Sequence, residues 1–293
     1  MTPSEGTSAT VVMPARNAER TIAEQLGALA AQDHTGHWDL LVVDNGSTDS
    51  TAAVAMSWAD RLLSLRVLPA GSQVGSNHTR NVAMRAAATD IVAFCDADDV
   101  VDTGWLRALV AAIAHADAVG GRLEYDLLND SDDLARRPEP PMGGLTVGAD
   151  FLPRAVGANF AVRKHVWEDL GGFDESYRLG GTETEFLWRL QLSGYSIAFT
   201  ADAVVHYRFR RGRRPLFHQY ARFGRAQAHL YRDFRDRGMR RPSMHSLARD
   251  AAWLTVHAAD LARDPARQGR WIRTAATRWG RLVGSARYGV LYL

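Results

Sequence analysis

The sequence of 293 residues has a single cysteine, Cys95, and a single lysine, Lys164. One cysteine excludes an intrachain disulfide and a metal site built from several thiolates, and it fits a reducing, cytoplasmic location. No stretch of about 18 apolar residues occurs, so no membrane-spanning helix is expected. The opening "MTPSEGTS" has no basic stretch leading into an apolar one, unlike a signal peptide. Neither G-x-G-x-x-G after a strand nor G-x-x-x-x-G-K-[ST] is present, which argues against a dehydrogenase and against a P-loop enzyme.

What is present is an ordinary globular composition in a chain long enough for one large domain with an appendage. Its charge is uneven. Residues 203–293 hold 20 arginines against 5 aspartates, a surplus of +15 in a chain of net +2, so the first 202 residues carry −13. An acidic body is followed by a basic tail.

The body repeats one pattern. "ATVVMPARN" (9–17) reads as a strand, and the next segment, 18–32, spaces Ile22, Leu26 and Leu29 as on a helix. "WDLLVVDNGSTDST" (38–51), "LSLRVLPA" with 77–88, and "DIVAFCDADDVV" with 104–116 repeat it. Alternation of this kind predicts an α/β fold with a parallel sheet covered by helices on both faces. Right-handed crossovers bring the strand ends to one edge, so Asn17, Asp44, Asn45 and Asp96 to Asp99 are expected in one crevice. A long connection over 126–153 follows, rich in proline, glycine and acids. After it come a strand, a helix, a glycine-rich turn and a second helix over 157–195.

Several of these residues have chemistry, and each has a bland alternative. Asp96 and Asp98 suit a hard divalent cation, whereas Asp98 or Asp99 could equally cap the helix that follows. Asp44 could accept a hydrogen bond from a nucleobase or ribose, or simply close an Asx-turn, with Ser47 or Thr48 as a helix cap. Glu183 and Glu185 precede a helix, where the dipole favours carboxylates, but Glu183 is also placed to act as a general base. His206 ends a strand-like run, and a lone histidine is more often packed than functional.

Strand–"PARN", strand–"VDNGSTD", "HTRNVAMRAA", "CDADD", "GGFDE" and the late glutamates follow one another in an order that resembles the inverting family 2 glycosyltransferases of GT-A fold. The likeness covers residues 9–210. It implies a mixed, mostly parallel sheet flanked by helices, with 9–125 the nucleotide-sugar half and 126–210 the acceptor and catalytic half. Residues 1–8 are then a flexible start and 211–293 an arginine-rich helical extension. It assigns donor binding to Pro14, Arg16, Asn17, Asp44, Arg80 and Asp96. Asp98 and His206 become ligands of Mg²⁺ or Mn²⁺, and Glu183 takes the base position where the family usually has aspartate. Glu185 and Asn159 stand as acceptor or supporting residues. The implied reaction moves a sugar, with inversion, from a nucleoside-diphosphate sugar, UDP-sugar first, to a hydroxyl of a saccharide, lipid-linked or small-molecule acceptor.

A sugar nucleotidyltransferase is the rival enzyme, but such enzymes usually open with a glycine-rich basic loop, and "MPARNAERT" has no glycine. A non-catalytic glycosyltransferase-like partner is the rival from another class. The tail is expected to pack on the acidic body or form a homo-oligomer contact, with peripheral binding to the inner face of the membrane as the alternative. No nucleic-acid partner is expected, since no binding module is recognisable.

Overall fold

The computed structural model describes residues 7–62, 64–139, 143–178 and 180–293. Most of the expected flexible start, and Pro140 to Met142 of the long connection, lie outside the described residues. The apolar runs form β1 (Ala9–Ala15), β2 (Trp38–Asp44), β3 (Leu65–Pro69) and β4 (Ile91–Cys95), separated by α1 (Ile22–Ala30), α2 (Thr51–Met56) and α3 (Ser76–Ala86). A short β5 (Val100–Val101) leads to α4 (Trp105–Ile113) and β6 (Ala118–Glu124). The long connection holds α5 (Ser131–Ala135) and a hairpin of β7 (Thr146–Gly148) and β8 (Leu152–Arg154). Then come β9 (Asn159–Arg163), α6 (Lys164–Asp169), α7 (Thr182–Leu192) and β10 (Ile197–His206).

The main sheet has the order β3-β2-β1-β4-β9-β6-β10-β5. β1 to β4 pair in parallel, as does β10 with β6, but β9 runs antiparallel between β4 and β6. The sheet is therefore mixed, where strand alternation alone predicts a wholly parallel one. The reason is the route of the chain. The long connection returns it to the edge where β4 ends, so Asn159 pairs with Cys95 and β9 has to run backwards.

Both faces of the sheet are covered, which is why its central strands are apolar throughout rather than alternating. Val11 and Met13 face α1 and α4, burying Ile22, Leu26 and Trp105, while Val12 faces the opposite side with Met84 and Phe186. Each such side chain contributes about 1.5–3 kcal/mol on burial.

The tail forms α8 (Arg213–Phe234), α9 (Met244–Val256) and α10 (Pro265–Tyr288). α8 and α10 lie side by side in the same direction, and the contact needs glycine. A Cβ on Gly280 would come within 2.0 Å of the Ala221 carbonyl oxygen, and one on Gly284 within 2.8 Å of the Ala228 Cβ. The pair closes on the body through an apolar cluster of Tyr177, Trp188, Leu230, Phe234 and Tyr292. Packing on the body is thus as expected, but charge is not its main cause. Several tail arginines pair with the tail's own aspartates, as in Arg278–Asp250 at 2.6 Å and Arg263–Asp260 at 3.2 Å. Among the described residues no helix is long and apolar enough to cross a membrane.

Candidate active site

The loops after β1, β2 and β4 meet α7 and α8 around one open cleft. The first two loops are stitched together. Asn17, in left-handed backbone (φ 51°) that asparagine tolerates, accepts the Thr48 amide at 2.9 Å, while its own amide donates to the Ser47 hydroxyl at 3.0 Å. Asp44 accepts from the Ser47 amide at 3.1 Å and the Ser47 hydroxyl at 2.5 Å, so the Asx-turn forms. No helix cap forms at Ser47 or Thr48, because α2 starts only at Thr51. Pro14, Arg16, Asn17 and Asn45 line the cleft, and Asp44 does not. Asn45, buried, bonds to Ala70 and Gln73 carbonyls and to the Gly75 amide, fixing the loop before α3.

Beyond β4 the chain turns, so Asp96, Ala97 and Asp98 line the cleft while Asp99 is buried behind them. Gln25 holds this segment from one side, donating to the Asp96 carbonyl at 3.0 Å and accepting the Val101 amide at 2.9 Å. Arg208 holds it from the other. Its side chain donates to the Asp98 carbonyl and its amide to the Asp99 carboxylate, both at 2.8 Å, and its guanidinium also reaches Glu24. Neither Asp98 nor Asp99 caps a helix, since α4 starts at Trp105 behind Gly104.

Three carboxylates whose ligand atoms lie within 4.8 Å of one another disfavour ionisation. Burial, then Asp98, pushes Asp96 up to about 6, with Arg80 and Arg210 pulling the other way. Burial also raises Asp98, against Arg210 and Arg208. Asp99 is pushed well above the carboxylate range by burial and by both neighbours, and its Oδ2 is buried without a hydrogen-bond partner. A hard divalent cation such as Mg²⁺ or Mn²⁺ fits this all-oxygen set, since it would relieve the repulsion.

Glu183 stands in the first turn of α7, behind Gly181 in left-handed backbone (φ 72°). The Thr182 hydroxyl donates to Oε2 at 2.8 Å, the Thr184 hydroxyl to Oε1 at 3.2 Å, and Arg154 of β8 lies 3.5 Å from Oε1. Burial acts to raise its pKa, but Arg154 and then Arg80 outweigh it and hold Glu183 below the usual carboxylate value. A side chain on Gly157 would stand 3.1 Å from Oε2 and 2.6 Å from the Arg80 guanidinium, so close approach requires glycine there. Arg80 is buried over the rings of Phe94, Phe160 and Phe173, and donates to the Thr182 hydroxyl and the Gly157 carbonyl, each at 3.1 Å. Its charge acts on both Asp96 and Glu183, and through the Thr182 hydroxyl it supports the Glu183 carboxylate.

Three expected roles are redirected. His206 pairs with Glu124, Nδ1 to Oε2 at 2.5 Å, because β10 runs in parallel register with β6; Arg208, two residues on, is what reaches the aspartates. Glu185 is buried in an ion pair with Arg189 at 2.7 Å and, unlike Glu183, does not line the cleft. Asn159 is fully buried, accepting from the Trp105 indole and donating to the Arg122 and Ala203 carbonyls: it ties α4, β6 and β10 to β9 and does not line the cleft. Gln25, Arg154, Gly157 and Arg208 escaped the sequence reading. None sits in a motif, and only the fold brings them to the carboxylates.

The model of glycosyl transferase family 2 matches residues 10–171. The chain belongs to glycosyl transferase family 2. Among curated relatives, glycosyltransferase AglE of Haloferax volcanii is 28% identical over 197 residues, spanning 66% of this chain and 64% of that protein. WfgD of Escherichia coli, a UDP-Glc:α-D-GlcNAc-diphosphoundecaprenol β-1,3-glucosyltransferase, is 32% identical over 130 residues, spanning 44% of this chain and 50% of that protein. The chain thus spans less than two thirds of the length of these family 2 relatives. Among solved structures, mannosyltransferase PcManGT from Pyrobaculum calidifontis, in complex with GDP-Man and Mn²⁺, superposes with TM-score 0.69 at 20% identity, covering 96% of this chain and 88% of that one. That likeness shows the GT-A fold, including the mixed sheet of this family 2 chain.

Proposed function

We propose that the protein transfers a sugar from a nucleoside-diphosphate sugar to an acceptor hydroxyl, with inversion, and that Glu183 is the general base. The carrying observation is a largely buried carboxylate held ionised by Arg154 and Arg80 in the same cleft as Asp96 and Asp98, with Asp99 buried close behind them. A base must be ionised at working pH and face the proton it removes.

In one displacement the acceptor oxygen forms a bond to the anomeric carbon as the bond from that carbon to the donor diphosphate breaks. The electron pair leaves with the nucleoside diphosphate, and the acceptor proton passes to Glu183. Arg154 and Thr182 keep the carboxylate aimed, while Arg80 stabilises its charged form. Asp98 and Asp96 would hold Mg²⁺ or Mn²⁺, which when bound neutralises charge on the leaving diphosphate. The stitched loops of Asn17 and Asn45 form the wall proposed for the nucleoside, with the UDP-Glc named for WfgD supporting a uridine donor. Residues 9–210 then form the catalytic unit, and α8 of the extension completes the cleft.

Thermal unfolding with UDP, dTDP and GDP, each with and without Mn²⁺, tests this reading, because a ligand of the folded state raises the midpoint. One diphosphate should do so only with metal and only while Asp98 is intact. No shift with any nucleotide would sink the transferase reading. The tail also supports a peripheral membrane contact, since Trp279 and Leu282 are 53% and 51% exposed on one face of α10 beside arginines. Sedimentation with anionic vesicles, lost in Trp279→Ser/Leu282→Ser, is the expected result.

A further inference from the structure

The turn that carries Glu183 belongs to the body but is seated on the tail. Its first part is held by α3. Asn81 donates to the Phe173 carbonyl and accepts the Phe173 amide, both at 2.9 Å, and Asn77 donates to the Asp174 carbonyl at 2.7 Å and reaches the Thr182 carbonyl at 3.4 Å. Its second part meets α8. A Cβ on Gly180 would stand 3.4 Å from the Ala226 Cβ, and one on Gly181 would stand 3.3 Å from the Leu230 Cδ1. Thr182 and Glu183 follow at once and open α7. Whatever fixes α8 against this turn therefore fixes where the base begins.

The fixing contacts are polar and stacked. Tyr177 is 1% exposed, and its hydroxyl donates to Asp233 of α8 at 2.7 Å. Burial, then Asp233, pushes that hydroxyl far above the ordinary phenol value, so it stays a donor. The Tyr177 ring stacks on His229 of α8 with centres 3.9 Å and planes 12° apart, and His229 stacks in turn on Tyr288 of α10 at 4.1 Å and 8°. The imidazole is thus sandwiched between a ring of the body and a ring of the last helix. Arg232 donates to His229 Nε2 at 2.9 Å and to Asp233 at 2.6 Å, so the imidazole accepts as the neutral ring. Burial and the Arg232 charge keep its pKa below the ordinary histidine value.

The rest of the seam, Trp188, Leu230, Phe234 and Tyr292, is mainly apolar and gives adhesion without direction. A buried polar network whose members are satisfied instead selects one arrangement. Tyr177, His229 and Asp233 do not line the cleft, so they touch neither donor nor acceptor. Their reach is through the turn, and a base displaced by about 1 Å loses about 10²-fold in rate.

We infer that Tyr177, His229 and Asp233 are positioning residues, a clamp through which the helical tail sets the Gly180–Gly181 turn and with it the placement of Glu183. The inference rests on the reading of Glu183 as the base. It makes residues 211–293 part of the catalytic geometry rather than an appendage to it.

The test uses the full chain and two readouts. Tyr177→Phe keeps the ring stack and removes the bond to Asp233, whereas Asp233→Asn keeps an acceptor for the hydroxyl. Hydrogen exchange needs no ligand. The Glu185 amide, which donates to the Gly181 carbonyl at 2.9 Å, should exchange about tenfold faster in Tyr177→Phe and near the unmodified rate in Asp233→Asn, with β1 and β4 unchanged. Turnover is followed as nucleoside diphosphate released with Mn²⁺ from UDP-glucose, UDP-N-acetylglucosamine or GDP-mannose, whichever the protein uses. Tyr177→Phe should lower kcat about tenfold or more with the donor KM unchanged. In a Glu183→Gln background it should lower the rate no further, because the base it positions is gone; a purely structural role would multiply the two losses. Unchanged exchange at Glu185, an unchanged kcat, or a loss that multiplies with Glu183→Gln would each overturn the inference. A rate that Glu183→Gln leaves intact overturns the base reading instead.

Discussion

One cleft contains two sets of carboxylates with opposite electrostatics. At the end of β4, Asp96, Asp98 and Asp99 crowd together under burial, and all three are pushed towards the neutral acid. At the start of α7, Glu183 is also largely buried, but Arg154 and Arg80 hold it as the anion. The difference lies in the neighbours, not in the residue type. A carboxylate set short of positive charge is a place for a cation, and a carboxylate already supplied with it is ready to take a proton.

The largest break in this contrast comes from removing the charge at α7. Glu183→Gln should lower transfer about 10²–10⁴-fold in a rate assay while the metal-dependent nucleotide shift survives. Equal loss of both would mean that Glu183 supports the fold rather than the reaction. Next, Asp98→Ala should abolish Mn²⁺-dependent stabilisation by the nucleotide, read in thermal unfolding.

The pH dependence sharpens the comparison. Asp96 is raised to about 6, above the value near 3.9 of an unfolded chain, so its contribution to stability is fully present below about 4 and lost as pH rises through 6. Without metal, Asp96→Asn should therefore raise the unfolding midpoint at pH 7.5 and have little effect at pH 4. Conversely, a cation must displace that proton, so the Mn²⁺ shift should fade as pH drops below about 6.

Arg154→Gln should act on the other set. Glu183 loses the cation that most lowers its pKa, and the acidic limb of the pH–rate profile should move to higher pH. An unmoved limb would assign the hold on Glu183 to Arg80 alone. The smallest effect is expected from His206→Ala, because its ring is bonded to Glu124; the metal-dependent shift should persist. Its loss would return His206 to the ligand set.

Much of the fold was legible because β1, β2 and β4 hold apolar runs closed by polar turns, and that pattern reflects local burial. The order of "PARN", "VDNGSTD", "CDADD" and the late glutamates also carried the family. Asp96, Asp98 and Glu183, which the structure brings to one cleft, were singled out in the sequence for the same reason. His206, Glu185 and Asn159 were not, since the partners that claim them, Glu124, Arg189 and Trp105, depend on strand register, helix phase and packing. The antiparallel β9 was equally hidden, because strand direction follows from where the chain re-enters the sheet.

By itself the sequence determined where strands and helices form, which loops are acidic, and that the basic charge lies in the tail, all properties of short stretches. Tertiary structure alone decided which arginine meets which carboxylate. Arg80, Arg154 and Arg208 come from three distant segments; Arg154 and Arg80 hold Glu183 as the anion, while the crowded aspartates are pushed towards the neutral acid. It also turned α8 of the tail into a wall of the cleft, through an apolar contact with Tyr177 and Trp188 that net charge could not reveal. Electrostatic energy depends on distance and burial, and both belong to the fold rather than to the order of residues.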